Sequence, residues 1–132
     1  MSDKRVLVVE DDENNRVVFS ILLTRMGLEF DIAMNGRQAI EAVRQRTYSI
    51  ILMDVRMPHV DGLEATKAIR SLGTVNGKQI PIVAVTAQAM DGDRERCIWA
   101  GMSDYISKPF TREELETTIV RWIGQIEPNE AT

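Results

Sequence analysis

The chain has 132 residues, of which 44% are hydrophobic and 27% are charged, with a formal net charge of -4. These values indicate one globular domain with its own core and exclude a disordered chain. The acidic balance, without a Lys/Arg-rich run, argues against direct binding to nucleic acid. No apolar run approaches the roughly 18 residues of a membrane span, and no signal-peptide pattern is present. Cys97 is the single cysteine, so the chain cannot form an internal disulfide. We therefore expect a cytoplasmic protein with no membrane contact.

Five apolar segments suited to β-strands alternate with amphipathic segments suited to helices. Residues 6–9, 50–53 and 82–85 are apolar at every position, which is typical of parallel strands covered by helices on both faces. Residues 30–34 are interrupted by Asp31, and the segment around Tyr105 is short. The pattern predicts an α/β, doubly wound (βα)5 flavodoxin-like fold, and the strand order 2-1-3-4-5 common in that class places these two weaker strands at the edges.

Helices are predicted to begin near Glu13, Asn35, Asp61, Asp91 and Thr111. In the first, the helical spacing predicts a core-facing stripe ending before Gly27, formed by Val18, Ile21, Leu22 and Met26. In the fifth, a Thr111–Glu114 capping box precedes an apolar face formed by Leu115, Ile119, Trp122, Ile123 and Ile126. Residues 1–126 should form the domain, and residues 127–132 a flexible tail or linker stub.

Polar groups follow four of the predicted strands directly. Asp54 ends the apolar run 50–53, and the others are Glu10, Asp11 and Asp12 after strand 1, Thr86 after strand 4, and Lys108 after strand 5. Since the carboxyl ends of parallel strands share one edge of the sheet, these groups should converge there. An isolated acid at a strand end is usually solvated, but ending a buried strand on an unpaired charge is costly, so Asp54 is the strongest candidate.

This combination of groups predicts phosphoryl chemistry. A carboxylate can accept a phosphoryl group as an acyl phosphate. Three acids would repel the anionic donor unless a cation intervenes, and Mg²⁺ is suited to oxygen ligands and to phosphate. Lys108 and the Thr86 hydroxyl would then stabilise the charge on the transferring group.

Motifs covering residues 4 to 126 resemble the receiver domain of two-component response regulators. They are Val8-Val9-Glu10-Asp11-Asp12, Met53-Asp54-Val55-Arg56-Met57-Pro58 with Asp61-Gly62, Val85-Thr86-Ala87, and Tyr105-Ile106-Ser107-Lys108-Pro109-Phe110. Residues 97–109 are especially similar to receivers of hybrid histidine kinases. The resemblance implies the CheY-like form of the fold and a place in phosphorelay signalling, with a histidine kinase or histidine phosphotransfer protein as donor and an unknown downstream effector.

The resemblance also implies a role for each site residue. Asp54 would be the phosphoacceptor, and the metal would be held by Asp11, Asp54, Glu10 through a water, and the backbone carbonyl of Arg56. The Lys108-Pro109 bond would be cis, while Thr86 and Tyr105 would switch the surface of helix 4, strand 5 and helix 5. Only self-catalysed phosphotransfer and autodephosphorylation are expected, rather than an enzyme acting on other substrates.

Several residues and functions stay open at this stage. Asp12 reads as a helix cap, Trp122 and Cys97 as core, and Trp99 either as a candidate partner surface or as incidental packing. A magnesium phosphohydrolase of the haloacid dehalogenase type would have Asp where Arg56 stands, and a flavodoxin-like cofactor module needs a first loop that does not repel phosphate. A receiver acting only as a scaffold should lack a core group. The chain could be a single-domain regulator or a receiver from a larger protein.

Overall fold

The structure, a computed structural model, describes residues 4–55, 61–73, 79–86 and 93–124. In these ranges five strands alternate with five helices. The strands are β1 (Arg5–Val9), β2 (Glu29–Ala33), β3 (Ile50–Asp54), β4 (Ile82–Thr86) and β5 (Asp104–Ser107). The helices are α1 (Glu13–Arg25), α2 (Gly36–Gln45), α3 (Gly62–Arg70), α4 (Asp93–Ala100) and α5 (Arg112–Ile123).

All strand pairs are parallel and their order is β2-β1-β3-β4-β5. The predicted fold class, strand order and edge strands are therefore confirmed. Side chains of the central strands alternate between two apolar layers: Ile51 and Met53 of β3 face one layer, Ile50 and Leu52 the other. Helices α2, α3 and α4 cover the first layer, and α1 and α5 the second. Burial on both faces explains why these strands are apolar throughout.

The predicted helix starts are largely confirmed. Asp12, Asn35, Asp61 and Thr111 cap the helices that follow them, and the side chain of each accepts a backbone N–H from the first turn. The expected capping box joins Thr111 and Glu114. Gly27, at φ 76°, ends α1, because its left-handed conformation lets the next N–H, that of Leu28, reach the carbonyl of Leu23. The start expected near Asp91 lies outside the described residues, as does the tail 127–132.

The predicted core stripe of α1 is wrong for Val18 and Ile21 and confirmed for Met26, which is buried, and for Leu22, which packs against the core. Val18 and Ile21 are 46% and 48% exposed, whereas Phe19, Leu23 and Met26 are buried. Both faces of this helix carry apolar residues, so periodicity alone could not choose between them. Packing against the apolar layer that contains Val6 and Val8 selects the Phe19 face, and it leaves an apolar stripe on the surface.

The predicted burial of Trp122 is also wrong. Leu115 and Ile119 face the core as expected, but Trp122 is 37% exposed and its indole N–H donates to the Asp104 carboxylate at 2.9 Å. In the last turn of α5, Ile123 packs against the apolar layer, whereas Trp122 reaches Asp104 at the start of the edge strand β5. The bond to Asp104 satisfies the indole N–H while part of the ring stays exposed. Ile126 is outside the described residues.

Asp31, which interrupts β2, belongs to a polar cluster at the other edge. Its carboxylate accepts from the Tyr48 hydroxyl at 2.8 Å and from the guanidinium of Arg5 at 3.1 Å. Burial, and to a smaller extent the hydrogen bond to Asp31, raises the pKa of Tyr48 to about 12. These contacts satisfy the charge of Asp31, which would be costly to bury on a central strand. Among the described helices none is both long and apolar enough to cross a bilayer.

Candidate functional site

The strand register brings the predicted polar residues to one edge of the sheet. Val9 is level with Met53, Asp54 with Val85, and Thr86 with Ser107. This register places Glu10, which follows β1, beside Asp54, the last residue of β3. Thr86, the last residue of β4, and Lys108, which follows β5, come to the same edge one and two steps further along. Carboxylate oxygens of Glu10, Asp11 and Asp54 all lie within 4.8 Å of one another. Glu10 and Asp54 are only 1% and 6% exposed, while Asp11 faces solvent.

Lys108 supplies the ammonium of this cluster. Its Nζ lies 3.1 Å from Glu10 Oε1 and 4.0 Å from Asp54 Oδ2. Its backbone N–H donates to the carbonyl of Thr86 at 2.8 Å, and the Lys108–Pro109 peptide is cis, as the resemblance implied. Counted formally, three carboxylates and one ammonium give the cluster a charge of -2 (-3 and +1). The donor set therefore suits a divalent cation with a preference for oxygen.

The structure gives a reason for the glycine of the Asp61-Gly62 motif. Gly62 is the first residue of α3, and its N–H donates to the Val55 carbonyl at 3.0 Å. A Cβ at this position would lie 2.4 Å from the carbonyl oxygen of Asp54. Glycine is required because α3 begins against the backbone that carries Asp54.

Arg16 is a site residue that the sequence reasoning missed. Its guanidinium Nη1 donates to the carbonyls of Glu10 and Asp11, at 3.2 and 2.8 Å. One side chain from the first turn of α1 thus holds two successive peptide groups of the acidic loop. No spacing rule would have indicated this, since an arginine in a helix usually faces solvent.

Tyr105 lies beside the site on the edge strand. It is half-buried against the α2–α4 layer, and its hydroxyl accepts a hydrogen bond from the Ser107 hydroxyl at 3.3 Å. The strand is tied to α5 through Asp104, which accepts from Arg121 at 2.7 Å and from Trp122. Burial raises the pKa of Asp104, but the hydrogen bonds from Trp122, the Tyr105 backbone and Arg121 outweigh it and hold that pKa below its ordinary value.

Three other residues named from the sequence lie elsewhere. Asp12 caps α1 and is not part of the carboxylate cluster, in agreement with its interpretation as a cap. Trp99 on α4 is 87% exposed, so a role as a partner surface stays a prediction. Arg56, whose backbone carbonyl was named as a metal ligand, lies outside the described residues.

The fold is a doubly wound parallel sheet, and its buried carboxylates and lysine lie at the carboxyl ends of the strands. These features define a class of α/β proteins that bind their ligands at this edge of the sheet. Residues 6–120 match the family model described as the response regulator receiver domain. The chain belongs to this family. That assignment removes the haloacid dehalogenase-type and flavodoxin-type alternatives.

Known relatives and solved structures agree with the assignment to the receiver family. The chain is 45% identical over 124 residues to two-component system protein A of Emericella nidulans, covering 92% of this chain and 18% of that protein. The receiver domain of a sensor histidine kinase from Pseudomonas aeruginosa PAO1, with magnesium in its active site cleft, superposes with a TM-score of 0.86 at 42% identity, covering 94% of this chain and all of that one. The Saccharomyces cerevisiae receiver domain of Ssk1, in complex with the histidine phosphotransfer protein Ypd1, gives 0.83 at 30% identity, covering 91% and 88%.

The curated relatives are much longer than this chain. It spans 8% of a hybrid signal transduction histidine kinase of Dictyostelium discoideum, at 40% identity over 134 residues. The part that they share with this chain is the receiver domain.

Proposed function

We propose that this receiver accepts a phosphoryl group on Asp54 from the phosphohistidine of a histidine kinase or phosphotransfer protein, as a cytoplasmic step in two-component signalling. The observation that carries the proposal is the cluster of Glu10, Asp11 and Asp54 with Lys108 at the sheet edge. An oxygen of Asp54 would form a bond to phosphorus as the phosphorus–nitrogen bond of the donor breaks, and the electron pair would leave with the imidazole.

The residues of this chain would neutralise the group in transfer. Lys108, 4.0 Å from Asp54, can turn from Glu10 towards an incoming phosphoryl oxygen, and the buried Thr86 hydroxyl can donate to another. These groups act on the bound donor only, so the protein would promote its own phosphorylation and dephosphorylation and no other reaction. Rearrangement of Thr86 and Tyr105, which share the β4–β5 pair, would pass the change to the α4-β5-α5 surface.

Mg²⁺ fits the site and is its proposed cofactor. Asp11 and Asp54 would hold it directly, Glu10 through a water, and the Arg56 carbonyl would complete the set. When bound, the ion offsets the negative charge of the carboxylates and of the phosphoryl oxygens. The formal charge of -2 and the oxygen-only donor set support a divalent ion of this kind.

The direct test is phosphate uptake measured by intact mass. With acetyl phosphate and Mg²⁺, the wild-type protein should gain one phosphoryl group, and with chelator none, because the anionic cluster then repels the donor. Asp54→Asn should gain none in either condition. Equal uptake by Asp54→Asn would remove it as the acceptor, and no uptake by wild type would favour a scaffold receiver.

A second test concerns the metal. Asp11→Asn should weaken Mg²⁺ binding about 10-fold or more, because loss of a charged ligand costs at least about 1.4 kcal/mol. Calorimetric titration measures this, with the cap variant Asp12→Asn as control, since asparagine caps equally well and Asp12 lies outside the cluster. Equal affinities of wild type and Asp11→Asn would exclude Asp11 as a direct ligand.

The donor is proposed to dock on α1. This helix exposes Val17, Val18 and Ile21, and a cavity of about 290 Å³ between α1 and Phe110 lies directly beside Lys108. A donor histidine must reach Asp54 at this edge, so the apolar stripe next to the site is suited to hold the donor protein. The matching receiver of Ssk1, whose structure is a complex with a phosphotransfer protein, supports such a partner.

Ile21→Asp should test this surface, because Ile21 is 48% exposed and lies about one turn beyond Val18, which lines the cavity. Transfer from a phosphorylated histidine phosphotransfer protein that is active on wild type should slow about 10-fold or more, while uptake from acetyl phosphate stays unchanged. Ile98→Asp on α4 is the matched control, since Ile98 is also 48% exposed. If both variants lose donor transfer equally, α1 is not the docking surface.

A further inference from the structure

We propose that Asn15 of α1 is a positioning residue for the acidic cluster: its amide fixes the carboxylate of Glu10, and thereby the place where Lys108 and a divalent cation meet Asp54. This inference rests on the proposed function, because the cation and the phosphoryl group are those of that site. It concerns a residue that neither touches the phosphoryl group nor belongs to the carboxylate cluster.

The contacts of Glu10 carry the inference. This carboxylate is 1% exposed, so its orientation depends on protein groups rather than on water. Its Oε1 accepts from Lys108 Nζ at 3.1 Å, and its Oε2 accepts from Asn15 Nδ2 and from the backbone N–H of Asp12, both at 3.3 Å. Asn15 therefore supplies the side-chain donor opposite Lys108, and the carboxylate is held from both sides.

The arrangement is an unusual use of a helix start. Asp12 caps α1 by accepting the N–H of Asn15 at 3.0 Å, so Asn15 is the third residue of the helix. In a capping box the residue at this position reaches back to the N–H of the capping residue. Here Glu10 accepts that N–H instead and also accepts the Asn15 amide, so the end of α1 and the site share one carboxylate.

The chemistry of the two groups makes the contact specific. An ionised carboxylate only accepts hydrogen bonds, so the amide must present its NH₂ group. Hydrogen bonds to a charged acceptor are about twice as strong as neutral ones, and a fixed carboxylate loses little freedom when a cation binds. Without Asn15, Glu10 would keep Lys108 and the Asp12 N–H but lose its second side-chain donor, so its carboxylate could turn towards Lys108 and away from the cation position.

The exposed neighbour Asn14 offers a matched control. It is the same residue type on the same first helical turn, and its side chain lies on the solvent side. Asn14→Ala and Asn15→Ala therefore change helix propensity equally, and only the second removes the amide that contacts Glu10.

The experiment is calorimetric titration of Mg²⁺ alone into the full chain, with melting in chelator as a check on folding. Asn15→Ala should bind Mg²⁺ about 3- to 10-fold more weakly than wild type, on the scale of the net contribution of one hydrogen bond, and Asn14→Ala should bind as wild type does. In a Glu10→Gln background, Asn15→Ala should produce no further change, because it acts through Glu10.

Three results would overturn the inference: unchanged or tighter Mg²⁺ binding by Asn15→Ala, an equal loss in Asn14→Ala, or a full additional loss in the Glu10→Gln background. Should Asn15→Ala melt too low to titrate, Asn15→Ser, which keeps a short donor, is titrated instead and should lie between wild type and the expected loss. Phosphate uptake by the wild type from acetyl phosphate is measured on the same sample. That readout tests the proposed function, and the titration tests Asn15, so the two failures are distinguishable.

Discussion

Lys108→Met should destabilise the metal-free protein by about 3–5 kcal/mol, the usual cost of removing one partner of a buried ion pair. Glu10 is 1% exposed and its 3.1 Å partner would be lost, while methionine keeps the apolar stem of the side chain. The formal charge of the cluster would also change from -2 to -3 (three carboxylates, no ammonium). Urea unfolding at neutral pH in chelator measures the difference.

Two controls separate the buried pair from the loss of a lysine. Lys67→Met removes an exposed lysine of α3 and should change the free energy of unfolding by less than about 0.5 kcal/mol. The double variant Lys108→Met/Glu10→Gln should regain most of the lost stability, because Glu10, the carboxylate nearest to Lys108, is then uncharged. Equal effects of Lys67→Met and Lys108→Met would show that Glu10 does not depend on its lysine.

Removing an acid should have the opposite effect. In chelator, Asp54→Ala and Asp11→Ala should each unfold with a free energy about 1–2 kcal/mol higher than that of wild type, because close like charges repel. For a chain of this size that corresponds to a melting temperature higher by about 4 °C per kcal/mol. Asp54→Ala would therefore be more stable than wild type and unable to accept the phosphoryl group.

Magnesium should reverse this ranking. At 100 times its dissociation constant, Mg²⁺ should stabilise wild type by about 2.7 kcal/mol, and the two alanine variants much less. Thermal melting at neutral pH, first in chelator and then in Mg²⁺, gives both comparisons. If both variants melt below wild type in chelator and all three respond equally to Mg²⁺, the three carboxylates do not share a metal pocket.

The sequence was sufficient for most of the elements and for the carboxylates and the lysine that meet at the edge of the sheet. Apolar runs at 6–9, 50–53 and 82–85 predicted the central strands, because a strand buried on both faces must be apolar at each position. Thr111 and Asn35 predicted helix starts, since a cap acts within three residues of itself. The acids and Lys108 could be placed together because parallel strands end at one edge.

Tertiary structure decided what depends on contacts between distant residues. Periodicity could not tell that Phe19 rather than Val18 faces the core, because both faces of α1 are apolar and only packing selects one. The close approach of Gly62 to Asp54 follows from where α3 meets β3. Lys108 pairs with Glu10 across 98 positions of sequence, and Asn15 contacts Glu10 from the first turn of α1. Local sequence patterns describe neighbours along the chain, whereas these contacts exist only once the sheet has brought the strand ends together.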